Sequence, residues 1–488
     1  MINVFPQPFK FEEKDGEFVF KDKVYFMLDK NFKNKEFIEL CAEFWNNFTA
    51  NKSELEVVLV EGAEGNARIS LDRDKVKKSA TDYEYEVECS EEGIDISYSE
   101  GIGLIHAFST VLQLISAYRR KSGDFAVKCI HIQDKPALKM RGMHLCVMPE
   151  TKLLFLNKLV RLCGLLKCTH VVIEFWGMVK LETLDVLSWP MAYTREDLAS
   201  IFKYGKALGI EFIPMYNHMG HATMSRFKAG KSVVLDQAPE YEELFVPGGW
   251  TWDIKNPEAI DLLRKIREEL CEIFPEGEYF HIGCDETYVL DHRFDGYDKE
   301  DNESFINYVN DVAKHLKSIG RKPVMWADMF IDKEKFKFPY VNNSSSRCFE
   351  YDKNLAKLDE DMHLADWQYY IDENHSETAE FFTSKRDPSK YIICPWDDTA
   401  KIRGMVRLAK KYGSLGVIGT TWNTVNHEIR HLVYTACVMW DTDDSKTDVC
   451  TWETLKVFAA QNIRKLIPSK GVYANAGFLE TELFHMVD

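Results

Sequence analysis

The residues best suited to chemistry in this sequence are two adjacent carboxylates, Asp285 and Glu286, which follow the short segment His281-Ile-Gly-Cys284. This segment has the apolar character of a buried β-strand, so we expect both carboxylates at its carboxyl end. Two adjoining carboxylates cannot approach one bond from opposite faces, as ordinary retaining and inverting glycosidases require with carboxyl separations of about 5 to 9.5 Å. If the pair acts on a glycosidic bond, the substrate must supply its own nucleophile.

A 2-acetamido group on the sugar would be such a nucleophile, through its carbonyl oxygen. In this scheme Glu286 protonates the leaving oxygen and later activates water, while Asp285 orients the amide and stabilises the positive oxazolinium intermediate. Substrate-assisted glycosidases are known exceptions to the two-carboxylate mechanism. The alternative for an Asp-Glu dipeptide is a helix N-cap followed by a first-turn glutamate. The neighbouring His281 and Gly283, and the residues at other strand ends, favour the catalytic interpretation.

Aromatic and acidic residues recur at the ends of the other predicted strands. Four tryptophans there would offer indole faces on which sugar rings stack, with carboxylates to accept hydrogen bonds from hydroxyls, which favours a carbohydrate ligand. Any single tryptophan is equally well explained as a core or rim aromatic. The candidate substrate-binding residues are Arg141, Glu174, His221, Trp326, Trp367, Tyr369, Trp396, Asp398 and Trp422.

The segment His218-Met-Gly-His221 has a second interpretation, in which both histidines bind a metal ion together with His281 and Asp285. The spacing is not that of a typical helical ligand pair, and such a site would leave the tryptophans without a role. We therefore favour a hydrogen bond from His221 near Glu286, and we expect neither a metal nor an organic cofactor. A carbohydrate-binding protein that has lost catalysis is a further alternative, which the intact carboxylate pair disfavours.

The elements that position these residues are short apolar segments that alternate with helical patterns. Eight strands alternating with helices over about 300 residues predict a (β/α)8 TIM barrel for residues 135–440, with catalytic groups at the carboxyl ends of the strands. The predicted strands are Arg141–Val147, His170–Phe175, Glu211–Tyr216, Tyr279–Gly283, Pro323–Trp326, Met362–Trp367, Tyr391–Pro395 and Gly416–Trp422.

A small α+β domain without catalytic residues is predicted before the barrel, in residues 1–134. Apolar residues at helical spacing from Gly101 to Ser116 predict one helix lying on a sheet. Residues 441–488 are charged and then helical in pattern, and we interpret them as a C-terminal helical extension without chemistry. The predicted strands of the N-terminal domain are Val57–Val60, Ala67–Leu71, Tyr83–Cys89 and Ile94–Tyr98.

Charge and composition restrict the partners and the compartment. The formal net charge of -17 would repel phosphate backbones and anionic lipid, so we expect neither nucleic acid nor a membrane as partner. No uncharged apolar run is long enough to span a bilayer, and the N-terminus does not resemble a signal peptide. The twelve cysteines are scattered without a Cys-x-x-Cys pair, which is typical of buried free thiols and favours the cytoplasm. The oligomeric state is not predicted.

Several of these motifs resemble glycoside hydrolase family 20, the β-N-acetylhexosaminidases, along nearly the whole chain. The segment His281-x-Gly283-x-Asp285-Glu286 matches the family's catalytic motif in full. Further similar segments are Lys139-Met-Arg141-Gly142 in the first strand, Pro214 to Ala222, Val324-Met-Trp326 and Thr421-Trp422. Within the family, the sequence is most similar to the intracellular hexosaminidase D type.

This resemblance implies an exo-acting enzyme that removes terminal β-linked GlcNAc or GalNAc from glycans or oligosaccharides, with retention and by substrate-assisted catalysis. It implies that Arg141 binds sugar hydroxyls and that the tryptophans form the walls of a closed pocket. A closed pocket favours removal of one sugar at a time. Preference between GlcNAc and GalNAc is not predicted.

The sequence departs from the family pattern at three places. Cys146 stands where some members have an aspartate, and Pro395-Trp396 replaces the tyrosine expected to hold the acetamide oxygen, a role that Tyr369 could take over. The eighth-strand Trp-x-Glu is here Trp422-Asn423-Thr424, so a usual hydroxyl ligand is missing. The open substitutes for that ligand are Asp398, Asn426 and Glu428.

Overall fold

A computed structural model describes residues 2–20, 22–117, 124–223, 233–287, 299–331, 351–369, 375–422, 425–448 and 450–467. Within these residues the chain forms a sheet domain, then a closed barrel, then short helices. None of the helices found there is long and apolar enough to cross a membrane.

The N-terminal domain is one mixed sheet with two helices. Its elements are β1 (Lys10–Phe20), β2 (Lys23–Asp29), α1 (Lys35–Phe48), β3 (Glu54–Val60), β4 (Asn66–Ser70), β5 (Tyr85–Ser90), β6 (Gly93–Tyr98), α2 (Gly101–Ala117) and β7 (Phe125–Asp134). The sheet order is β1-β7-β5-β6-β4-β2-β3, with only the β2-β3 pair parallel. Helix α2 contacts both this sheet and the first barrel helix, and its apolar residues Leu104, Phe108 and Leu112 are buried.

The sequence analysis identified the strands β3 to β6 and the helix α2, but it named neither α1 nor the strands β1, β2 and β7. The edge strand β1 shows why. Its first six residues are all exposed, so its sequence, Lys-Phe-Glu-Glu-Lys-Asp, is charged and lacks the alternation that marks a half-buried strand.

Eight parallel strands then close into the predicted barrel. The strands are β8 (Met140–Val147), β9 (His170–Phe175), β10 (Glu211–Met215), β11 (Tyr279–His281), β12 (Lys322–Trp326), β13 (His363–Asp366), β14 (Tyr391–Ile393) and β15 (Gly416–Gly419). The ring closes because β15 pairs with β8. The (β/α)8 prediction is confirmed, and the carboxyl ends of the strands differ from prediction by up to three residues.

Helices surround the barrel and continue past it. The helices are α3 (Leu153–Leu165), α4 (Arg195–Ala207), α5 (Val234–Gln237), α6 (Pro257–Ile273), α7 (Lys299–Ser318), α8 (Tyr351–Lys357), α9 (Glu377–Lys385), α10 (Thr399–Tyr412), α11 (Val425–Trp440), α12 (Asp444–Thr447), α13 (Trp452–Phe458) and α14 (Arg464–Leu466), the last two joined by a π-helical turn at Ala459–Ile463. Arg161 of α3 donates a hydrogen bond to the Leu466 carbonyl at 2.9 Å, which ties the C-terminal helices to the barrel.

Candidate active site

Asp285 and Glu286 follow the fourth barrel strand, β11, and lie at the mouth of the barrel. Hydrogen bonds to the neighbouring strand continue past its last residue, from Ile282 N to Val324 O (2.8 Å) and from Trp326 N to Gly283 O (3.0 Å). Gly283 has a φ of +64°, and a Cβ there would lie 2.0 Å from the Asn217 side chain. Only glycine fits this turn, after which the chain reaches the two carboxylates.

Asp285, Glu286 and His221 form one cluster. His221 Nε2 lies 3.3 Å from Asp285 Oδ2 and 3.1 Å from Glu286 Oε2. Asn217 donates a hydrogen bond from Nδ2 to Asp285 Oδ1 at 2.8 Å, which fixes the rotation of that carboxylate. The backbone packing is equally close, since a Cβ at Gly220 would lie 2.2 Å from the Asp285 carbonyl oxygen. The structure therefore brings His221 from the end of one strand to the carboxylate pair at the end of the next.

The backbone at this cluster is held in an unusual conformation. His221, Cys284 and Glu286 have φ values of +59°, +69° and +45°, in the left-handed region that side chains rarely adopt. Such conformations cost about 1 to 3 kcal/mol each and persist where surrounding contacts enforce them. Two contacts hold Glu286: its N–H donates to Asp328 Oδ2 at 2.9 Å, and its carbonyl accepts from Trp250 Nε1 at 2.8 Å.

Asp328 adds a third carboxyl beside the pair. It follows β12 by two residues and is completely buried. Burial, and then the neighbouring Asp285 and Glu286 charges, raise the pKa of Asp328 well above its usual value. The neutral form is therefore favoured. The sequence signal for Asp328 was its position at a strand end, but Trp250 lies in the long loop after β10, where no strand pattern marks it.

Glu174 at the end of the second barrel strand is fixed by several donors. Its Oε2 lies 3.2 Å from His144 Nε2, 3.1 Å from Trp176 Nε1 and 3.5 Å from Cys146 Sγ. Glu174 also lines a small cavity that reaches His221. The structure therefore places Glu174 on the side of the mouth that faces the cluster of Asp285, Glu286 and His221.

His144, Cys146 and Glu174 are the one group of described residues close enough to share a metal ion. Thr421 N donates to His144 Nδ1 at 3.4 Å, and His144 Nε2 lies 3.2 Å from Glu174 Oε2. Cys146 Sγ donates to the Thr421 carbonyl at 2.9 Å. All three side chains therefore have hydrogen-bond partners within the protein.

The other metal alternative, with His218 and His221 as ligands, is not assembled in the described part of the chain. His218 Nδ1 lies 2.6 Å from the Tyr216 carbonyl, and its ring packs against Phe280. Burial lowers the pKa of His218 well below its usual value. Gly283 N donates to the Nδ1 of His281 at 3.0 Å. These contacts are those of histidines packed within the barrel.

Five aromatic residues from three strand ends and the eighth-strand loop form a continuous wall. Ring centroids lie 5.4 Å apart for Trp326 and Trp422, 5.6 Å for Trp367 and Tyr369, and 5.4 Å for Tyr369 and Trp396. Trp422 Nε1 also donates to the Tyr369 hydroxyl at 2.5 Å. Trp326 and Trp367 are buried, whereas the other three rings are half-buried. The predicted wall is therefore present, with a deep part and an open part.

Glu428 connects two members of this wall. Its Oε1 accepts from Trp396 Nε1 at 2.7 Å and its Oε2 from Trp422 N at 3.0 Å, and the residue is buried. Asp398 is exposed and caps α10 by accepting from Lys401 N at 3.0 Å. Of the open substitutes for the eighth-strand ligand, Glu428 thus supports the aromatic wall and Asp398 caps a helix. Asn423, Thr424 and the side chain of Asn426 lie outside the described residues.

Arg141 is not part of this site, and the prediction that it binds sugar hydroxyls is wrong. It is the second residue of β8, whose carboxyl end is Val147, so it lies about 20 Å from the mouth at about 3.3 Å per residue. Its guanidinium donates to the carbonyls of Leu138 (2.8 Å) and Lys167 (3.0 Å) and lies 4.9 Å from the Trp440 ring. The arginine supports the amino-terminal end of the barrel.

Comparison with known families gives two matches that together cover most of the chain. The model of the glycosyl hydrolase family 20 catalytic domain matches residues 131–438, and that of glycosyl hydrolase family 20, domain 2, matches residues 1–135.

Similar proteins are a lacto-N-biosidase of Bifidobacterium bifidum and a beta-hexosaminidase of Emericella nidulans. The first is 24% identical over 301 residues, which is 57% of this chain and 25% of that protein. The second is 24% identical over 293 residues, 52% of this chain and 46% of that protein. The matched region thus spans half or less of the length of these relatives. A solved structure, the β-N-acetylhexosaminidase of Bacteroides fragilis, shares the fold with a TM-score of 0.66 at 17% identity, covering 94% of this chain and 96% of that one.

Proposed function

The chain belongs to glycosyl hydrolase family 20, and from that premise we propose that it is an exo-acting, retaining β-N-acetylhexosaminidase. One observation carries the proposal: Asp285 and Glu286 lie side by side, both within 3.3 Å of the same His221 nitrogen. Carboxyls of ordinary glycosidases flank the scissile bond. Two carboxyls on one side suit a reaction in which the substrate provides the nucleophile.

In the proposed reaction Glu286 protonates the glycosidic oxygen while the substrate's acetamide oxygen attacks the anomeric carbon. Water that Glu286 deprotonates then attacks the anomeric carbon and breaks its bond to the acetamide oxygen, so the proton returns to Glu286. The two inversions at that carbon give net retention. Asp285 accepts the acetamide N–H and stabilises the positive charge. Asn217 holds the other Asp285 oxygen at 2.8 Å, so the carboxylate is oriented before substrate arrives.

The remaining site residues are proposed to bind the sugar. Trp367 and Trp422 supply apolar faces, and the buried Trp326 packs behind Trp422. The Tyr369 hydroxyl, which accepts from Trp422, can donate its proton to the acetamide oxygen. Glu174 is proposed to accept hydroxyl hydrogen bonds, because the donors on its Oε2 fix its carboxylate in one orientation.

The substrate class is proposed to be glycans or oligosaccharides with a terminal β-linked GlcNAc or GalNAc. The names of the relatives support this class. We propose a reducing compartment such as the cytoplasm, because the eleven described cysteines are all free thiols. The similarity to the intracellular hexosaminidase D type remains a prediction.

The test is hydrolysis of paired p-nitrophenyl β-GlcNAc and β-GalNAc, with and without EDTA, beside the matching β-glucoside and β-galactoside. We expect turnover of an acetamido sugar that EDTA does not change, and no turnover of sugars without the acetamido group. Binding without turnover would favour a carbohydrate-binding protein, and loss of activity with EDTA would favour a metal-dependent hydrolase.

A second measurement examines the nucleophile. After exposure to a 2-deoxy-2-fluoro glycosyl fluoride, mass spectrometry should find the protein unmodified, because the acetamide and not an enzyme carboxylate attacks. A stable adduct on any aspartate or glutamate would contradict the scheme. A thiazoline analogue of the oxazolinium should bind far more tightly than substrate.

A further inference from the structure

Glu286 is held from two sides by residues that themselves belong to other barrel loops. Its peptide N–H donates to the carboxyl of Asp328, a buried residue that follows β12. Its carbonyl accepts from the indole N–H of Trp250, which lies in the loop after β10. Its φ of +45° lies in a region that glutamate avoids unless its surroundings enforce it. The two contacts act on opposite ends of the same residue.

Trp250 is itself well anchored. Its carbonyl accepts from Ala222 N at 2.9 Å, the adjacent Gly249 carbonyl accepts from Thr223 N at 3.1 Å, and its ring lies 4.4 Å from the His221 ring. One tryptophan therefore contacts both Glu286 and the histidine whose Nε2 lies 3.1 Å from the Glu286 carboxyl. Moving this ring would release the acid and its histidine together.

We propose that Trp250 and Asp328 are positioning residues that clamp the Glu286 peptide in its left-handed conformation and so aim its carboxyl at the glycosidic oxygen. This inference rests on the proposed function, since it assigns to both residues the alignment of the general acid. The clamp acts through hydrogen bonds to the backbone and needs no charge on Asp328. The raised pKa of that buried carboxyl is consistent with a neutral hydrogen-bonding group.

A misaligned acid has a characteristic kinetic signature. Good leaving groups need little protonation, so loss of acid alignment slows substrates in proportion to the basicity of the leaving group. A displacement of 1 Å can cost about 100-fold in rate. General disruption of the fold or of sugar binding would instead slow all substrates alike.

The experiment measures kcat and KM of the full chain on a series of aryl and alkyl β-N-acetylhexosaminides with increasing leaving-group basicity. The variants are Trp250→Phe, which keeps a ring but removes the N–H, Asp328→Leu, which removes the acceptor, and Asp328→Asn, which retains one. Trp189→Phe is the matched control, since Trp189 is also half-buried but packs on Gly177 in the loop after β9.

We expect Trp250→Phe and Asp328→Leu to lose about 10- to 100-fold in kcat on alkyl glycosides and less than about 3-fold on dinitrophenyl glycosides, with KM little changed. Asp328→Asn retains a hydrogen-bond acceptor, so its kcat should be close to the wild-type value on every substrate. The control Trp189→Phe should also have wild-type kcat and KM. Thermal melts and binding of a non-hydrolysable thioglycoside show whether each variant is folded. If Asp328→Leu does not fold, Trp250→Phe carries the test.

Equal losses on every substrate, or no loss in Trp250→Phe, would overturn the clamp while leaving the proposed activity intact. A wild-type protein inert towards all acetamido glycosides would instead overturn the proposed function. The two failures are therefore distinguishable in one set of assays.

Discussion

Glu286 and Asp285 differ in exposure in a way that suits the different roles proposed for them. The side chain of Glu286 is 17% exposed and that of Asp285 is 5% exposed. A proton donor must reach the leaving group at the open side of the pocket, whereas a group that stabilises charge acts best where water is excluded. The more exposed carboxyl is therefore the one assigned to proton transfer.

The variant Glu286→Gln removes only the transferable proton. We expect kcat on alkyl glycosides to fall by about 10² to 10⁴, with a much smaller loss on activated aryl glycosides and little change in KM. Steady-state kinetics on both substrate types give the ratio. Glu242→Gln, at an exposed glutamate outside the site, is the control. A uniform loss on both substrate types would contradict the acid role.

The tryptophans of the aromatic wall separate into two kinds by burial. Trp326 is 1% exposed and packs in the inner barrel cluster, whereas Trp422 is half-buried at its edge. Trp326→Ala should cost about 3 to 5 kcal/mol of unfolding free energy, as large truncations in cores do. Trp422→Ala should raise KM and lower kcat with a smaller loss of stability. Thermal melts beside kinetics measure both effects, and equal melting losses would show that Trp422 is also a core residue.

Residue types and strand-end positions were enough to predict the carboxylate pair, His221 and the aromatic wall. They do not support the prediction for Arg141, because the predicted strand Arg141–Val147 begins at this arginine and so places it at the amino end of the barrel. Its sugar-binding role was implied by the family resemblance. Residue types and positions also missed Trp250, whose role depends on a hydrogen bond to a backbone carbonyl of residue 286, 36 positions away. Contacts of this kind leave no periodic pattern in the sequence.

At the level of elements, the amino-terminal end of the barrel contains a row of rings from alternate strands. His170, Tyr279 and His363 are the first residues of β9, β11 and β13, and the Tyr279 ring lies 5.9 Å and 5.3 Å from the two histidine rings. Layers built from alternate strands are how such barrels fill their interior. Burial is the main cause that lowers the pKa of each histidine to about 4.

The two buried histidines of this row predict that the protein is less stable at acidic pH. In the unfolded chain both histidines titrate near pH 6.5, whereas in the folded barrel they titrate near pH 4, so between these values the unfolded state binds more protons. The stability contributed by the two neutral rings is therefore complete above pH 6.5 and is lost as the pH falls to about 4. Each ring contributes up to about 3 kcal/mol to this loss. Urea unfolding should show that the free energy of unfolding falls between pH 7.5 and pH 4.5. In a His170→Gln/His363→Gln variant this pH dependence should be smaller. The exposed His375→Gln should keep the wild-type slope.

The strands themselves were predictable because each is a short apolar run, and all except β8 have a helix on either side. The predicted and observed starts of the eight barrel strands agree within one residue. For example, β9 starts at His170 as predicted, and β12 starts at Lys322, one residue before the predicted Pro323. The amino ends are marked by the change from polar helix to apolar strand. Five of the eight carboxyl ends were overestimated, because apolar or aromatic residues such as Trp367 and Trp422 continue after regular pairing stops.

Considered as a whole molecule, the N-terminal domain and the barrel meet at a buried ionic contact. Asp134, the last residue of β7, accepts from Lys167 Nζ at 3.0 Å and from Trp440 Nε1 at 2.8 Å, and both ends of the ion pair are fully buried. Tyr85 of the sheet also donates to this carboxylate. Burial is the main cause of the lowered pKa of Lys167, which Asp134 partly offsets. The sheet domain is thus a structural partner of the barrel.

We expect Lys167→Met to lower the unfolding free energy by about 3 to 5 kcal/mol, because it leaves the Asp134 carboxylate buried without its cation. The double variant Asp134→Asn/Lys167→Met should recover part of that loss, since it removes both buried charges. The exposed pair of Lys30 and Glu61 provides the control, and Lys30→Met should cost less than about 1 kcal/mol. Urea unfolding of Lys167→Met, Asp134→Asn and the double variant gives the coupling free energy between the two side chains. Additive effects of the two substitutions would show that the ion pair does not join the domains. Activity per folded molecule should stay at the wild-type level throughout, because the contact lies at the opposite end of the barrel from Glu286.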